Sequence, residues 1–471
     1  MKRLSVSMAL TAALVVLLAF TPATASRGRP TPTDPDQRLA RAAGHLTRAP
    51  ASATAAAAKR RGFRLVGHSD VGGGGFNADV WAHHGFAYLG VWGADAQHCP
   101  ASGVKVVDVR HPAHPRLVAR LANPAGTTAE DVVVRSVRTR AFHGDLAVTG
   151  IQRCAAGTGV FRGLSFWDVT HPTRPRELGR WAPPGDQRGC HEVDLVQRPD
   201  GRVLAGCALI FAELPSGPGG PAPVPEVRLI DATNPRAPVQ AGDWTLGRDL
   251  GLDPTQGVGC FPLAFAHSVR FFDRGRTVYV SYWDAGTINL DIHNPAAPRF
   301  VGRAVITPPD EDGDNHSMTL AKGGRLMLIN PEDFSPTDCP DNPEFDGWGE
   351  VHVYDNHDRA HPTFLGTFST PDSRSTRTDG FFSVHNTEVV RGDQAFSSWY
   401  SDGIVWWTVN NHGVTRQVGQ FVPPAAPDPQ GEFPTIPIVW GVYPDGDSDL
   451  ILTSDINSGL WILEPIGLGG F

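Results

Sequence analysis

The sequence predicts an all-β fold, a seven-bladed β-propeller closed by an N-terminal strand, on the strength of three observations. A phrase made of a short apolar run, an Asp, then Asn or His and two prolines recurs along the 471 residues. Its copies lie about 60 residues apart, a spacing typical of repeated supersecondary units that bury a shared core by stacking. Each unit resembles four short strands separated by turns. Four-stranded sheets repeated radially form a propeller.

The phrase occurs in five full copies and two degenerate ones. The full copies span Gly103–Pro115, Gly163–Pro175, Glu226–Pro238, Gly286–Pro298 and Glu350–Pro362. The degenerate copies are Gly403–Thr408 and Gly459–Glu464. The aspartates of the full copies are Asp108, Asp168, Asp231, Asp291 and Asp355. An Asp at the start of a turn accepts hydrogen bonds from backbone amides, and Pro presets the backbone dihedral angle, so we interpret these residues as structural.

The ends of the chain predict how the ring closes. Six units continue into a fourth strand after the proline turn, but the seventh copy, Gly459–Glu464, runs out at the C-terminus. A matching segment, Arg64–Gly67, lies at the other end of the folded region. We expect this segment to complete the last blade, which would remove two exposed sheet edges.

The recurring apolar run ending in Ile/Val-Asp, followed by Asn/His-Pro-x-x-Pro, resembles the LVIVD repeat of secreted and surface proteins. The resemblance covers residues from about 62 to 465. It implies a secreted propeller and no particular activity. The chain departs from that pattern in its long loops between strands and in a set of histidines described below.

The N-terminus has the features of a secretory signal. Lys2 and Arg3 precede an apolar stretch from Met8 to Phe20, and Ala23-Thr24-Ala25 is a small-x-small cleavage site. We therefore divide the chain into a signal peptide (1–25), a flexible Ala/Pro/Arg-rich segment (26–61) and the propeller (62–471). No later apolar run is long enough to span a membrane. The mature protein is expected to be secreted and monomeric.

Charge and cysteine content narrow the classes of partner. The formal net charge is −8, and no basic stripe interleaved with aromatic residues appears, which argues against a nucleic-acid partner. The six cysteines all lie in the exported part, where disulfides form. The strands around Pro199-Asp200-Gly201 place Cys190 opposite Cys207, the first expected pair. We expect the other pairs to be Cys99 with Cys154 and Cys260 with Cys339.

Histidine recurs at one register position of the first strands. Aligned on the first apolar residue of each strand, the seven blades carry Ala78, Glu130, His191, His267, His316, His385 and Trp440. The innermost strand of each blade lines the central channel, so these four imidazoles are expected to converge at one end of it. Neutral imidazoles on rigid strands suit iron, copper or zinc. The alternative is that they only bind channel water or backbone groups.

The sequence therefore predicts a transition-metal site with His191, His267, His316 and His385 as ligands. Glu130 is the acidic partner, as a fifth ligand, an outer-shell partner or a general base. Glu192, Asp79 and Asp131 are the nearest candidates to orient the second nitrogen of an imidazole. Calcium, at Asp310–Asn315, is a less favoured ion.

Two functions follow from this interpretation. The first is redox or hydrolytic chemistry at an open metal position. The second is a non-catalytic extracellular binding module. Long connections, at 207–224, 247–265, 304–315, 330–348, 369–383 and 423–437, all fall at the end where the first strands begin, which we call the long-loop face. Because long loops in compact domains are often functional, we expect a small molecule, glycan or protein to bind there.

Overall fold

The computed structural model describes the chain from Lys59 onward, with short gaps. The described residues are 59–73, 76–93, 102–154, 160–185, 188–214, 223–259, 262–306, 312–339, 347–428, 431 and 433–470. Both segments predicted to precede the propeller, the signal peptide and nearly all of 26–61, lie outside these residues. Among the described residues, no helix is long and apolar enough to cross a membrane.

The strands form seven antiparallel sheets arranged in chain order, as predicted. The first blade contains β3 (Phe76–His83), β4 (Phe86–Trp92), β5 (Val104–Asp108) and β6 (Arg116–Leu121). The second contains β7 (Thr127–Thr128), β8 (Val132–Arg138), β9 (His143–Arg153), β10 (Gly163–Asp168) and β11 (Arg176–Trp181). The third contains β12 (Cys190–Gln197), β13 (Val203–Leu209), β14 (Val227–Asp231) and β15 (Val239–Trp244).

The fourth blade contains β16 (Ala266–Phe272), β17 (Thr277–Tyr282), β18 (Gly286–Asp291) and β19 (Arg299–Ala304), and the fifth contains β20 (Asn315–Ala321), β21 (Leu326–Pro331), β22 (Val351–Asp355) and β23 (Thr363–Phe368). The sixth contains β24 (Thr387–Val390), β25 (Gln394–Ser398), β26 (Ile404–Val409) and β27 (Thr415–Phe421). The seventh contains β28 (Val439–Asp445), β29 (Leu450–Asp455) and β30 (Gly459–Pro465). The described helical turns are α1 (Leu246–Leu250), α2 (Ser335–Asp338), η1 (Trp283–Ala285) and η2 (Lys322–Gly324).

The ring closes as the sequence predicts. Strand β2 (Phe63–Ser69) pairs with β30 and supplies the fourth strand of the last blade. A preceding strand, β1 (Arg60–Arg61), adds a fifth strand to the sixth blade by pairing with β27, which the repeat did not predict. The edges of β27 and β30 are thereby paired where these strands lie.

The aspartates of the repeat make the turns predicted for them. In each of the five full copies, one Asp carboxylate oxygen accepts a hydrogen bond from the backbone N–H two residues on, over 2.8–3.1 Å. These turns lie at the end opposite to the long-loop face, and we call that end the turn face. The contacts hold the hairpin between the third and fourth strands.

Apolar side chains fill every junction between neighbouring blades. Buried residues of adjacent sheets form seven clusters, one at each junction, including the one between the last blade and the first. In the closing cluster, Val80 and Leu89 pack with Leu452 and Ile462. The ring is therefore closed by hydrophobic packing as well as by strand pairing.

Most first strands carry a β-bulge at the register position where histidine recurs. The pairing with the second strand shifts between Cys190 and Val193, between Ala266 and Ser268, and between Asn315 and Ser317, and equivalent shifts occur in the first and last blades. A bulge takes a residue out of the ladder and turns its side chain in a new direction. The fold thus directs the side chains at this position towards the axis.

Candidate metal centre

The structure brings the four predicted histidines together at the axis. We call them the histidine arc: His191, His267, His316 and His385. Each is at most 1% exposed. Successive imidazole centroids lie 4.3, 4.2 and 4.0 Å apart. Four of the seven blades contribute, so the arc follows one side of the channel.

The close approach of neighbouring blades depends on glycine behind the arc. A Cβ atom on Gly150 of β9 would lie 2.7 Å from the carbonyl oxygen of His191 and 2.8 Å from that of Cys190. Both distances are too short for a side chain to fit without movement of the backbone. Gly150 therefore allows the bulge of the third blade to lie against the second.

The hydrogen bonds of His191 assign its proton. Nδ1 forms a hydrogen bond of 2.9 Å with Oε1 of Gln152 and lies 3.0 Å from Oε2 of Glu130, a contact at ion-pair distance. Nδ1 must therefore carry the proton, which leaves a lone pair on Nε2. That Nε2 lies 2.9 Å from Nε2 of His267. This matches the usual organisation of a metal-binding histidine, in which an acceptor holds the nitrogen opposite to the ligating one.

Glu192 lies between the two central histidines. Its Oε1 is 3.7 Å from Nδ1 of His267 and 3.5 Å from Nε2 of His316. These three residues form one group that could hold a metal ion. His316, Glu332 and His385 form a second group, so His316 belongs to both. Each group contains two imidazoles and one carboxylate.

The other predicted carboxylates take different positions. Glu130 contacts His191 only through Nδ1, the nitrogen that faces away from His267. Asp79 accepts a hydrogen bond from Nδ2 of Asn386 over 2.8 Å. Asp131 accepts one from the backbone N–H of Val193 over 2.7 Å. Glu130 thus lies where an outer-shell partner would, whereas Asp131 joins the second blade to the third and Asp79 joins the first blade to the sixth.

Burial keeps the imidazoles of His267, His316 and His385 neutral. Desolvation, with the nearby imidazoles, lowers the pKa of His267 and His316 well below the ordinary value. Burial lowers the pKa of His385 to about 3. Among the described residues, both ring nitrogens of His385 and Nδ1 of His267 and His316 lack a hydrogen bond of standard geometry, although each ring has a weaker backbone contact from the next blade. Neutral, unsatisfied imidazoles have lone pairs available for a metal ion.

The carboxylates of the site lack basic partners. Among the described residues, no Lys or Arg forms an ion pair with Glu130, Glu192, Asp79 or Asp131. Burial raises the pKa of Asp131 to about 7, and burial together with neighbouring carboxylates raises that of Glu192 and Asp79. A cluster of buried carboxylates without a counter-charge is costly unless it is protonated or binds a cation.

Three polar residues at the site lie in or just after second strands, which the comparison of first strands did not cover. They are Gln152, Glu332 and Tyr400, and Tyr400 donates a hydrogen bond to Glu332. In the second blade Leu146 pairs with Asp168, and Gln152 follows six positions later. The same count from Leu326, the partner of Asp355, gives Glu332. A comparison of second strands in the same register would therefore have found them.

Aromatic side chains pack against the arc, two of them from the long-loop ends of second strands and one, Trp440, from the register position of the seventh blade. Imidazole and aromatic centroids lie 5.2 Å apart for His267 and Trp283, 5.3 Å for His385 and Tyr400, and 4.7 Å for His385 and Trp440. We call Trp283, Tyr400 and Trp440 the aromatic cover. All three are buried; Tyr400 and Trp440 continue into a larger cluster with Phe334 and Phe381, whereas Trp283 packs with Phe265 in a separate one.

A cavity of about 290 Å³ lies on the other side of the arc, within the channel. Its lining includes Asp79, Asp131 and Glu192, which we call the channel carboxylates, and Ser268, Ser317 and Asn386. Each of these six residues directly follows a register position of the first strands. Nearer the turn face the lining includes Arg135, Arg270, Glu388 and Tyr443.

A disulfide supports the strand that carries His191. Cys190 and Cys207 are bonded, as predicted. Cys154 and Cys339 are also in disulfides. Cys99 and Cys260, the partners predicted for them, lie outside the described residues.

Two further groups of possible ligands occur away from the arc. Asp312, Asp314 and Asp333 are buried and close together. The first two belong to the segment predicted for calcium, of which Asp310 and Glu311 lie outside the described residues. At the turn between β3 and β4, His83 and His84 lie 3.0 and 3.5 Å from the carboxylate of Asp145.

Comparison with known proteins supports the fold alone. No protein-family model matches the chain, so none supports the LVIVD resemblance, and no curated protein matches it. The β-propeller domain of Cps50 (Swd1) from Myceliophteria thermophila is similar in structure, with a TM-score of 0.50 and 11% identity over 87% of this chain and 100% of that one. A "putative 6-phosphogluconolactonase" from Bacteroides uniformis gives a TM-score of 0.44 and 13% identity over 76% of this chain and 90% of that one.

Proposed function

We propose that this propeller binds one divalent transition-metal ion at the histidine arc and uses it for redox or hydrolytic chemistry on a small molecule. His267, His316 and Glu192 would be the central ligands. His191 and His385 would complete or alternate in the set, and Glu130 would hold His191 through Nδ1. The single observation that carries the proposal is the burial of four imidazoles beside carboxylates that have no basic partner among the described residues.

The donor set favours particular ions. Two imidazoles and one carboxylate, with positions left open, are typical of iron(II), and imidazole also suits copper and zinc. Calcium and magnesium prefer oxygen ligands, so the arc does not favour them. Such an ion would act as a Lewis acid or redox centre towards a water or small molecule bound at an open position.

We also propose that the protein works outside the cytoplasm. The signal-like segment ending at Ala25 supports this location. The disulfide between Cys190 and Cys207 supports it independently, because such bonds persist in oxidising compartments. Sequencing of the mature N-terminus tests this proposal, with Ser26 expected as the first residue.

Metal content tests the main proposal. The chain would be purified with an affinity tag that lacks histidine, reconstituted anaerobically with iron(II), zinc or cobalt(II), and analysed by mass spectrometry. We expect about one tightly bound ion per chain, and absorption bands of cobalt(II) that report imidazole ligands. All proteins would carry His84→Ala, so that the group at His83, His84 and Asp145 does not add to the count.

Substitutions identify the site. His316→Ala removes the residue shared by both ligand groups, so bound metal should fall at least about tenfold. His361→Ala is the matched control, because His361 is exposed on a proline turn and belongs to neither group. A wild-type content below about 0.2 ions per chain, or an unchanged content in His316→Ala, would refute the proposal. Metal-free protein would then favour the binding-module alternative.

A further inference from the structure

We propose that the histidine arc is reached from the turn face, through the acid-lined channel cavity, and that this route admits metal cations and small cationic or neutral hydrophilic ligands. The inference rests on the proposed function, since it names the access route and ligand class of the same site. It differs from the sequence-based prediction, which placed ligand binding at the long-loop face.

The long-loop side of the arc is closed among the described residues. The aromatic cover lies against His267 and His385, and its members are at most 2% exposed. Tyr400 is fixed by its hydrogen bond to Glu332. Displacing these rings would expose a large apolar surface, which is unfavourable in water.

The turn-face side becomes steadily more accessible along the first strands. The side chains of the arc are at most about 2% exposed, whereas that of Glu192, one residue further on, is 13% exposed. Further along still, Arg270 and Glu388 reach 31% and 24%. Arg135, also in the cavity lining, is exposed. Glu192 contacts both the arc and the cavity, so a continuous polar path joins solvent to the histidines.

The charges along this path select its ligands. At the outer end the guanidinium of Arg270 is paired with Glu388 over 2.6 Å, and Arg135 lies over the ring of Trp81. Deeper in, the channel carboxylates form no direct ion pair with Lys or Arg among the described residues, although Arg270 acts on Glu192 at longer range. Carboxyl oxygens accept hydrogen bonds from ammonium and hydroxyl groups, whereas an anion such as acetate offers them no donor.

The size of the cavity limits the ligand further. Its volume of about 290 Å³ is at the lower end of the range for small-molecule sites. At about 30 Å³ for each water, it would hold roughly ten. A metal ion with its waters, a small amine or a short polyol fits this space, whereas a protein segment or an oligosaccharide does not.

The rate of metal exchange tests the route. Zinc or cobalt(II) would be bound to the intact chain, and its removal by a coloured chelator followed by stopped flow. Ser268 is buried, lines the cavity and directly follows His267. Ser268→Phe should narrow the channel and slow metal release at least about tenfold, since close-packed interiors leave little room for passage. Metal stoichiometry should be unchanged.

Two controls separate the faces. Ser268→Ala has no added bulk, and Thr376→Phe places the same ring at an exposed position in the 369–383 connection of the long-loop face. Both should release metal within about twofold of the wild-type rate. Normal release from Ser268→Phe with metal still bound, or slow release from Thr376→Phe, would overturn the route while leaving the metal site intact. A wild-type protein without metal would overturn both proposals.

A test on the wild-type chain does not depend on whether a variant folds. Methylammonium should occupy the cavity and slow metal release, whereas acetate at the same concentration and ionic strength should not. Faster or unchanged release in methylammonium, or slowing by acetate alone, would contradict the ligand class.

Discussion

The Nε2 atoms of His191 and His267 lie 2.9 Å apart, although they belong to different blades. Because Nδ1 of His191 faces two acceptors, its Nε2 carries no proton, and in the neutral pair His267 must donate. A metal ion would replace this single hydrogen bond with two ligand bonds. Metal affinity should therefore depend on the tautomer of His191, and substitution of the residues that fix this tautomer should change the affinity.

Glu130→Ala should weaken metal binding by about 10- to 100-fold, the usual effect of removing an acceptor behind a histidine ligand. Glu130→Gln keeps an acceptor oxygen near Nδ1 of His191, so it should weaken metal binding less than Glu130→Ala does. Competition titration with a chelator of known affinity measures both constants. Equal losses in the two variants would show that charge, and not the orientation of His191, is what Glu130 supplies.

Gly150→Ala should destabilise the fold and disturb the arc together. Its new Cβ would lie under 3.0 Å from two backbone oxygens, so the bulge at His191 must move. We expect a loss of about 1–3 kcal/mol in the free energy of unfolding, measured in urea, and weaker metal binding. Gly446→Ala is the control, because nothing lies within 4 Å of a Cβ at that position. Similar losses in both variants would contradict the close-approach argument.

Removing the disulfide should loosen the strand beneath His191. Cys190 and Cys207 are 17 residues apart, and a disulfide that closes a loop of that length typically stabilises a protein by about 3 kcal/mol. The double variant Cys190→Ala, Cys207→Ala should therefore unfold at a lower temperature in calorimetry. If its metal affinity equals that of the wild type, the bond supports the blade and not the site.

Acid should destabilise the protein partly through His352, a buried histidine outside the arc. Burial, with the charge of Arg374, lowers the pKa of His352 from 6.5 to about 3. Between these values the unfolded chain binds the extra proton, so stability falls as the pH drops through this window, by about 1.4 kcal/mol per pH unit.

His352→Gln should flatten this dependence. Urea unfolding at several pH values between 6 and 4 would show a smaller decrease for the variant than for the wild type. The two proteins are compared by how much the free energy of unfolding falls between pH 6 and 4, because the substitution also changes its value at pH 6. A steeper decrease in the variant would contradict the assignment.

The sequence predicted the scaffold well because the repeat is a local pattern. Each Asp makes its turn with a backbone group two residues away, so spacing alone identified the blades and the closing strand Arg64–Gly67. The histidine arc followed from the same register. Metal binding itself stays a prediction.

The sequence did not predict what surrounds the arc, since those contacts join distant blades. Gln152 lies on a second strand and Glu332 directly follows one, and a register of first strands does not compare these positions. The closure of the long-loop side depends on how Trp283, Tyr400 and Trp440 pack across the axis, and no periodicity along the chain reports that. The prediction of a ligand at the long-loop face assumed that long loops leave an open surface.

The pairing of β2 with β30 joins Phe63 to Pro465, residues at opposite ends of the described chain. Contacts so distant in sequence form late, because a long loop must close first. Blades three to six, which carry the arc, can each form their hairpins earlier, but their inner strands are held at a common axis only when the ring is shut. If the arc binds a metal as proposed, we expect the ion to enter only after synthesis of the whole chain, so that bound metal would mark molecules that have finished folding.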